Sequence, residues 1–293
     1  MTITIANVPP RQIGDALRLI FPDYADHQSV SNKLNSSADK HRLIGAFSAD
    51  SELVAAALIR IDVGNIASLV GPGYKTEFAD TSRAIVREVD AYAKKIGIRI
   101  IQSTFPFDQT DRLKFWESEN YRQVAKIEGR VKAVSSVDLD EEKSVGEFLF
   151  EEVGAVDEAR FERIVHSTFE ESKDLPYFQQ NCSSSEAFAA MKEHAGLNSK
   201  GLVVTHRRND IGCVLLSHEK DQAEIHYFGV KPSSRGMGAG KRILQFSERW
   251  AREKNASIIT AYVDSENCVA KHVYDACEFT IFSQQIIVAK ELA

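Results

Sequence analysis

The chain is poor in the residues that build disulfide frameworks and metal sites. It has four cysteines among 293 residues, and no two of them form a Cys-x-x-Cys pair, which excludes the spacing of a zinc ribbon or a thioredoxin motif. Its eight histidines form no His-x-x-x-His pair, so the spacing predicts no metal. Cysteines that are few and form no such pair are typically reduced thiols. We therefore predict a cytoplasmic protein.

Long apolar runs and an excess of positive charge are also missing. No segment approaches the roughly 18 consecutive apolar residues of a membrane span, and the first ten residues lack the pattern of a signal peptide. The net charge of −6 disfavours nonspecific binding to nucleic acid. We therefore predict no membrane and no nucleic-acid partner, and a monomer or homodimer.

The length and the hydrophobic content of 43% suit two domains of ordinary size. The stretch 135–144 is polar and acidic and is the predicted linker, so the domains are predicted to span residues 1–135 and 136–293. Strands and amphipathic helices alternate in both halves. This pattern predicts an α/β fold with a mixed sheet and helices on both faces.

One loop in the second half carries the strongest functional signal. A predicted strand over 223–230 is followed by glycines at alternate positions and then by a predicted helix over 238–254. The glycines are Gly236, Gly238 and Gly240. Their N–H groups and the positive end of the helix dipole converge on one point, which is typical of a phosphate or pyrophosphate site. Arg235 and Lys241 bracket this loop with positive charge.

Two common phosphate loops fit this segment poorly. In a P-loop, Gly-Lys is followed by Ser or Thr to hold Mg²⁺, whereas Gly240-Lys241 is followed by Arg242. A Rossmann fingerprint needs Gly-x-Gly-x-x-Gly and an acidic residue about 20 residues further on. Asp264 is late for that role, and the dinucleotide interpretation stays as an alternative.

Two sequence blocks resemble the GNAT superfamily of N-acetyltransferases. Arg235-x-x-Gly238-x-Gly240 is similar to the acyl-CoA pyrophosphate loop of that family. Asn267-x-x-Ala-x-x-x-Tyr274 is similar to its next block, although Glu278 replaces the family's Gly before Phe279. The resemblance covers roughly residues 150–293 and implies two tandem domains, each with a mixed, mostly antiparallel sheet.

The resemblance implies that acetyl-CoA is the co-substrate and that one strand and loop hold it. The implied cofactor-binding residues are Phe228, Gly229, Val230, Arg235, Gly236, Met237, Gly238, Ala239, Gly240, Lys241 and Asn267. A backbone N–H near Phe228 to Val230 is the implied donor to the oxyanion. Asn267 suits a helix N-cap equally well.

Transfer to an amine requires a group that takes a proton, because few amines are neutral at pH 7. Glu224 stands where several GNAT enzymes have a general base, and strand alternation places His226 on the same face. Either residue is a candidate base. Tyr274 stands at the family's position for protonating the leaving thiolate, and a buried core aromatic is the alternative interpretation.

The first half repeats this pattern at an offset of 158, which pairs Tyr121 with Phe279 (279 − 121 = 158) and Gly71 with Gly229. The same ungapped offset pairs Ile66 with Glu224. It places the following residues opposite Arg235, Gly236, Gly238 and Gly240: Glu77, Phe78, Asp80 and Ser82. Carboxylates at these positions repel a pyrophosphate. We predict a degenerate first domain without a cofactor, a layout that resembles tandem GNAT enzymes such as mycothiol synthase.

The sequence thus predicts an N-acyltransferase that moves an acetyl group from acetyl-CoA to a small-molecule or peptide amine by direct attack. No His–Asp pattern accompanies the cysteines to favour a covalent intermediate. A noncatalytic acyl-CoA-binding or scaffold protein is the alternative from another class, and a Rossmann-type dinucleotide enzyme is a further one.

Overall fold

The structure is a computed structural model that describes residues 2–23, 27, 30–31, 34, 40–135, 148–153, 158–196 and 198–292. The chain divides into two compact units, Met1–Val124 with Ile286–Ala293, and Ala125–Gln285. This division differs from the predicted boundary between residues 135 and 136. The predicted linker lies outside the described residues from residue 136 onwards. No helix among the described residues is long and apolar enough to cross a membrane.

The first unit contains a sheet with helices on both faces. Its strands are β1 (Thr4–Asn7), β2 (His41–Phe47), β3 (Leu53–Asp62), β4 (Ile66–Tyr74) and β5 (Ile100–Pro106), and its helices are α1 (Ile13–Ile20), α2 (Thr81–Lys95) and α3 (Thr110–Ser118). Strands β1 to β4 pair antiparallel, and β4 pairs parallel with β5. Side chains of β3 alternate between two apolar clusters, one containing α1 and the other α2, as expected for a sheet covered on both faces.

The second unit has the same construction. Its strands are β6 (Arg122–Ala133, from Ala125 onwards), β7 (Phe148–Glu152), β8 (Lys200–His206), β9 (Asn209–Glu219), β10 (Gln222–Val230), β11 (Ile258–Asp264) and the first part of β12 (Thr280–Glu291). Its helices are α4 (Glu158–Phe169), α5 (Pro176–Asn181), α6 (Ser184–Ala195), α7 (Ala239–Glu253) and α8 (Cys268–Ala276). Helices α4 and α6 cover one face, and α7 and α8 cover the other. The predicted mixed, mostly antiparallel sheet with helices on both faces is confirmed, whereas α5 was not predicted.

The boundary of the units is set by the last strand of each repeat. Strand β6 pairs antiparallel with β11 in the second unit, and Lys132 of β6 lies 2.7 Å from Glu248 of α7. The end of β12 belongs to the first unit, where Lys290 lies 2.6 Å from Asp90 of α2. Lys132 and Lys290 are 158 positions apart, and so are Asp90 and Glu248. The second unit therefore contains most of β6, and the first unit contains the end of β12.

The repeat follows the predicted offset except at the strand and loop that matter most. Helices α2 and α7 coincide at an offset of 158, as do β5 and β11, α3 and α8, and β6 and β12. Strands β4 and β10 coincide at 156, and so do the 3₁₀ turns Thr76–Phe78 and Pro232–Ser234. The ungapped pairing was wrong here because the second loop is two residues longer, and a shift of two preserves strand alternation.

The corrected pairing changes the partners of two predicted site residues. Glu224 corresponds to Ser68 rather than Ile66, and Gly229 corresponds to Gly73 rather than Gly71. Gly73 and Gly229 share a packing role. A Cβ on Gly73 would lie 1.9 Å from Leu19 O of α1, and one on Gly229 would lie 2.4 Å from Thr168 Oγ1 of α4. Both strands thus approach the first helix of their unit too closely for a side chain.

Candidate functional site

Strands β10 and β11 separate after a short parallel pairing. They pair from Gln222–Ile258 to Ile225–Ala261. Beyond that point β10 continues along β9 only, and β11 continues along β6 only, to Asp264. The edge of β10 that faces β11 therefore carries main-chain N–H and C=O groups without a strand partner among the described residues. Such an edge can pair with an extended ligand in the manner of an added strand.

A β-bulge lies where the two strands separate. The register of β10 against β9 shifts between Ile225 and Tyr227, so His226 is the extra residue. As a result, His226 and Tyr227 both face helices α4 and α6 although they are neighbours in sequence. The Tyr227 hydroxyl lies 2.7 Å from Thr168 Oγ1 of α4. Bulges often re-aim side chains beside functional sites.

The two candidate bases lie in contact before and at this bulge. Glu224 Oε1 is 3.3 Å from His226 Nδ1, although the contact lacks hydrogen-bond geometry. His226 Nε2 lies 2.6 Å from Ser217 Oγ of β9. The ring of His194, from the last turn of α6, meets the His226 ring edge-on at a centroid distance of 5.5 Å. Strand, bulge and helix end thus assemble one polar cluster.

Burial shifts the pKa values of both candidate bases in opposite directions. Desolvation raises the pKa of Glu224, and the nearby His194 opposes this rise. Desolvation, with a smaller contribution from His194, lowers the pKa of His226 to about 4. His226 is therefore neutral at pH 7, whereas Glu224 keeps a side chain that is 30% exposed. Titratable groups shifted by burial in a cleft are candidates for proton transfer.

The glycine loop presents a row of main-chain N–H groups at the start of α7. Gly236 and Gly238 both have φ of +81°, and Gly238 is the N-cap of the helix. The first bond of the helical series is donated by Arg242 N to Gly238 O. The N–H groups of 236–241 precede it and stay available, as the first N–H groups of a helix do. This geometry suits a phosphate or another anion.

Residues of the loop and of the first helical turn differ in exposure. Ala239 is 2% exposed and Met237 is 45% exposed, and Lys241 is exposed. A Cβ on Gly240 would lie 3.4 Å from Val273 of α8 and 3.7 Å from Phe228 of β10. Gly240 therefore lines the place where β10, α7 and α8 approach each other.

The side chain of Arg235 contacts main-chain carbonyls. Its guanidinium donates to Glu170 O at 2.7 Å and Thr168 O at 3.4 Å, and its Nε donates to Val230 O at 3.2 Å. Thr168 and Glu170 lie at the C-terminal end of α4, where carbonyls lack helical partners and favour a cation. The guanidinium of Arg235 thus links the C-terminal end of α4 to the glycine loop through these hydrogen bonds.

Tyr274 is buried between two aromatic rings. It is 3% exposed, and its ring meets Phe228 at 5.7 Å and Phe279 at 5.2 Å. Burial raises the pKa of Tyr274, with a smaller contribution from the Asp174 charge. The hydroxyl is therefore protonated at neutral pH, and the ring that carries it packs against Phe228 of β10.

The turn after α8 contains a left-handed residue although it lacks a glycine. Glu278 has φ of +63°, as does Asn120 at the same place in the first unit. Phe279 N donates to Tyr274 O at 3.0 Å, and Tyr121 N donates to Trp116 O at 3.0 Å. A non-glycine residue in this conformation costs about 1–2 kcal/mol, and the helix end is the same in both units.

Two carboxyls, of the half-buried Asp174 and the buried Asp264, tie the segment after α4 to the turn before α8. Asp174 Oδ1 accepts from Asp264 N at 3.0 Å, and Asp264 Oδ1 accepts from Glu266 N at 3.0 Å. Asn267 is the N-cap of α8 and accepts from Ala270 N at 3.2 Å. Desolvation is the largest cause that raises the pKa of both Asp174 and Asp264. The carboxylate of Asp264 thus holds the local turn.

The corresponding loop of the first unit is closed by its own hydrogen bonds. The N–H and the hydroxyl of Ser82 both donate to Ala79 O, at 3.1 and 2.6 Å, and Thr81 Oγ1 donates to Phe78 O at 2.6 Å. Asp80, the counterpart of Gly238 at the helix N-cap, has φ of −63°. This loop lacks the left-handed residues of the second, and the N–H of Ser82 is engaged within its turn.

Several residues of the cluster carried no signal in the sequence. His194 lies on a helix 30 positions before Glu224 (224 − 194 = 30), and Ser217 reaches His226 only through strand pairing. Asp174 precedes a helix that was not predicted. Only strand alternation along β10, which places Glu224 and His226 on one face, pointed to a shared face, and that pattern does not select partners.

Comparisons with known proteins agree with this geometry. Residues 164–279 match the sequence model described as the Acetyltransferase (GNAT) family. A GCN5-related N-acetyltransferase from Sphaerobacter thermophilus has a TM-score of 0.72 at 14% identity, over 99% of this chain and 96% of that one. A tandem GNAT protein from the clavulanic acid biosynthesis pathway has a TM-score of 0.65 at 13% identity, over 100% and 99%.

A GCN5-related N-acetyltransferase from Anabaena variabilis has a TM-score of 0.59 at 11% identity, over 100% of this chain and 73% of that one. At such identities the likeness shows the fold. No curated protein matches the sequence. The fold expected from the resemblance is thus confirmed over the whole chain.

Proposed function

We propose that this chain moves an acetyl group from acetyl-CoA to an amine acceptor by direct attack, because residues 164–279 match the GNAT acetyltransferase family model and the chain has the fold of GCN5-related N-acetyltransferases. One observation carries this proposal. The second unit places six available N–H groups, those of residues 236–241, at a helix N-terminus beside the open edge of β10. A diphosphate and an extended amide arm need these two features side by side.

The N–H row supports a role in holding the diphosphate of coenzyme A. Gly236 and Gly238 turn their N–H groups inward through positive φ, and the helix dipole adds favourable charge. The exposed Lys241 adds a cation at the same end. The pantetheine amides then pair with the open edge of β10, over Phe228 to Val230, and an N–H of that edge holds the developing oxyanion.

Glu224 is the proposed general base. An ammonium acceptor must lose a proton before its nitrogen attacks the thioester carbon, and the half-buried carboxylate of Glu224 takes that proton. His226, neutral at pH 7 with its Nδ1 3.3 Å from Glu224 Oε1, is the alternative base. The C–S bond then breaks, Tyr274 donates its hydroxyl proton to the thiolate of coenzyme A, and the second proton that the attacking nitrogen loses returns to the Tyr274 oxygen. The acceptor is a small-molecule or peptide amine.

Calorimetric titration of the full chain with acetyl-CoA and, separately, with NAD tests the cofactor. We expect one acetyl-CoA per chain and no heat with NAD. Binding of NAD alone would end the transferase proposal, and two molecules of acetyl-CoA would contradict the assignment of the site to the second unit only.

A screen of amines with detection of released thiol tests the reaction. We expect release above background hydrolysis with at least one amine class, and loss of that release in Glu224→Gln if Glu224 is the base. Tight acetyl-CoA binding without turnover on any amine or peptide would favour the noncatalytic alternative.

A further inference from the structure

Three potential metal ligands converge at the bulge of β10. His194, Glu224 and His226 each offer a ligand atom, and these atoms all lie within 4.8 Å of one another. Glu224 Oε1 and His226 Nδ1 are 3.3 Å apart. Two ligands on a tetrahedral ion with bonds of about 2.0–2.1 Å are separated by about 3.3 Å. The first two ligand atoms are thus already at the separation that such an ion requires.

The imidazole of His226 has one nitrogen held and the other without a partner. Nε2 lies 2.6 Å from Ser217 Oγ, and Nδ1 is buried with no hydrogen-bond partner among the described residues. A buried polar atom without a partner is unfavourable. Metal-binding histidines commonly hold one ring nitrogen in a hydrogen bond and coordinate through the other. His226 has this arrangement, with Ser217 in the orienting position.

His194 completes the set from the solvent side. It is exposed at the end of α6, and its ring meets the His226 ring edge-on. A side chain with an exposed ring can reach the other two ligands by rotating about its own bonds. The exposed side also leaves a fourth coordination position open to water or to an amine.

We infer that His194, Glu224 and His226 form a binding site for a divalent ion of the zinc class. Two imidazoles and one carboxylate are a donor set that Zn²⁺ accepts, and three protein ligands with an open fourth position are a usual zinc arrangement. Histidine spacing in the sequence gave no sign of it, because the ligands come from two elements.

The effect of bound Zn²⁺ on acetyl transfer rests on the proposed function. The ion would take the lone pairs of Glu224 and His226, which are the two candidate bases, and its open position would bind the acceptor nitrogen. Zn²⁺ at this site therefore inhibits transfer, and removal of the ion by a chelator restores it.

The binding test uses the full chain without a histidine tag, stripped of metal and free of coenzyme A. Zn²⁺ is titrated in competition with a chromophoric chelator, and Co²⁺ is added separately to record its visible absorption. We expect one Zn²⁺ per chain and the intense Co²⁺ spectrum of four-coordination. His194→Ala should weaken Zn²⁺ binding by more than about 100-fold, and Ser217→Ala should weaken it by about 10- to 100-fold.

A matched control removes the most obvious competing ligands. Cys268 and His272 are both exposed on α8 and stand four positions apart, a spacing that places two side chains on one helix face. The variant Cys268→Ser/His272→Ala should bind Zn²⁺ like the wild type. Loss of binding in this control, or unchanged binding in His194→Ala, would overturn the inference.

An activity arm separates this inference from the proposed function. Zn²⁺ should inhibit thiol release by the wild type, whereas thiol release by His194→Ala, compared with its own metal-free rate, should resist inhibition. Equal inhibition of both proteins would contradict the inhibitory role. Because the binding arm needs no turnover, it decides on the metal site even when no amine acceptor supports a reaction.

Discussion

Replacement of Gly238 by alanine isolates the backbone conformation on which the N–H row depends. Gly238 has φ of +81°, and a Cβ built on it meets nothing within 4 Å. The alanine therefore causes no clash, and its cost is the left-handed conformation itself, about 1–2 kcal/mol. The free energy of unfolding should fall by that amount, or the loop should rearrange and lose its N–H alignment. In the first case acetyl-CoA affinity should stay near the wild-type value, and in the second case it should decrease.

Gly240→Ala separates cofactor binding from stability. Gly240 lacks a positive φ, and its Cβ would make an ordinary contact with Val273 at 3.4 Å. Alanine is favoured over glycine inside a helix by about 0.5–1 kcal/mol, so the unfolding free energy should stay the same or rise. The added methyl group lies between Val273 and Phe228, where the proposed pantetheine groove begins, and acetyl-CoA should bind more weakly.

Gly14→Ala, in α1 of the first unit, is the matched control. A Cβ there meets nothing within 4 Å and the residue lacks a positive φ, so stability should change as in Gly240→Ala while acetyl-CoA affinity stays at the wild-type value. Urea unfolding and calorimetric titration of the three variants measure both quantities. Wild-type affinity in Gly240→Ala would refute the placement of the cofactor. Unchanged stability and affinity in Gly238→Ala would refute the backbone argument.

Substitutions at four further residues test other contacts. Tyr274→Phe should slow thiol release and leave acetyl-CoA affinity nearly intact; an unchanged rate removes Tyr274 from the reaction. Arg235→Ala should lower the unfolding free energy by about 1–3 kcal/mol, and Arg235→Lys should restore little of it, because one ammonium cannot reach carbonyls spread around a guanidinium. Desolvation and then the Asp264 charge raise the pKa of Asp174. The contribution of protonated Asp174 to the free energy of unfolding is therefore lost as pH rises through that raised pKa. Asp174→Asn keeps the acceptor oxygen and should unfold later than wild type in urea at pH 7, with a flatter pH profile; a less stable variant at pH 7 contradicts this. Asp80→Gly should leave the stoichiometry at one acetyl-CoA per chain, and a second equivalent in calorimetry would contradict the account of the first unit.

The sequence was most informative where local periodicity decides the structure. Helix α7 carries an apolar stripe over Ile243, Leu244, Trp250 and Ala251, and all four lie in one core cluster. Its counterpart α2 was predicted from the same stripe. The fold could be predicted because the apolar face of each such helix requires a sheet to cover it.

Loop length and tertiary contact were the limits of prediction. The two-residue difference before α7 left the strand alternation unchanged, so the ungapped offset placed Ile66 opposite Glu224. The contacts of Arg235 with Thr168 and Glu170 could not be foreseen either, because a cation beside a glycine loop predicts an anion equally well. His194 reaches Glu224 only through the packing of α6 on the sheet.

The two extra residues in the loop before α7 explain the different loop conformations of the two units better than the change in side chains does. The 3₁₀ turns of both units are followed by a helix, but four residues, 235–238, separate them in the second unit and two, 79–80, in the first. Four residues allow two left-handed positions, Gly236 and Gly238, which turn successive N–H groups toward one point. Two residues allow only a direct continuation, in which Ser82 donates to Ala79 within the turn. Glycine at position 80 would allow a positive φ there, but the segment would still be two residues shorter than that of the second unit. The first unit thus differs in backbone path from the proposed cofactor site of the second unit, and carboxylates at Glu77 and Asp80 suit our proposal that the first unit binds no anion there.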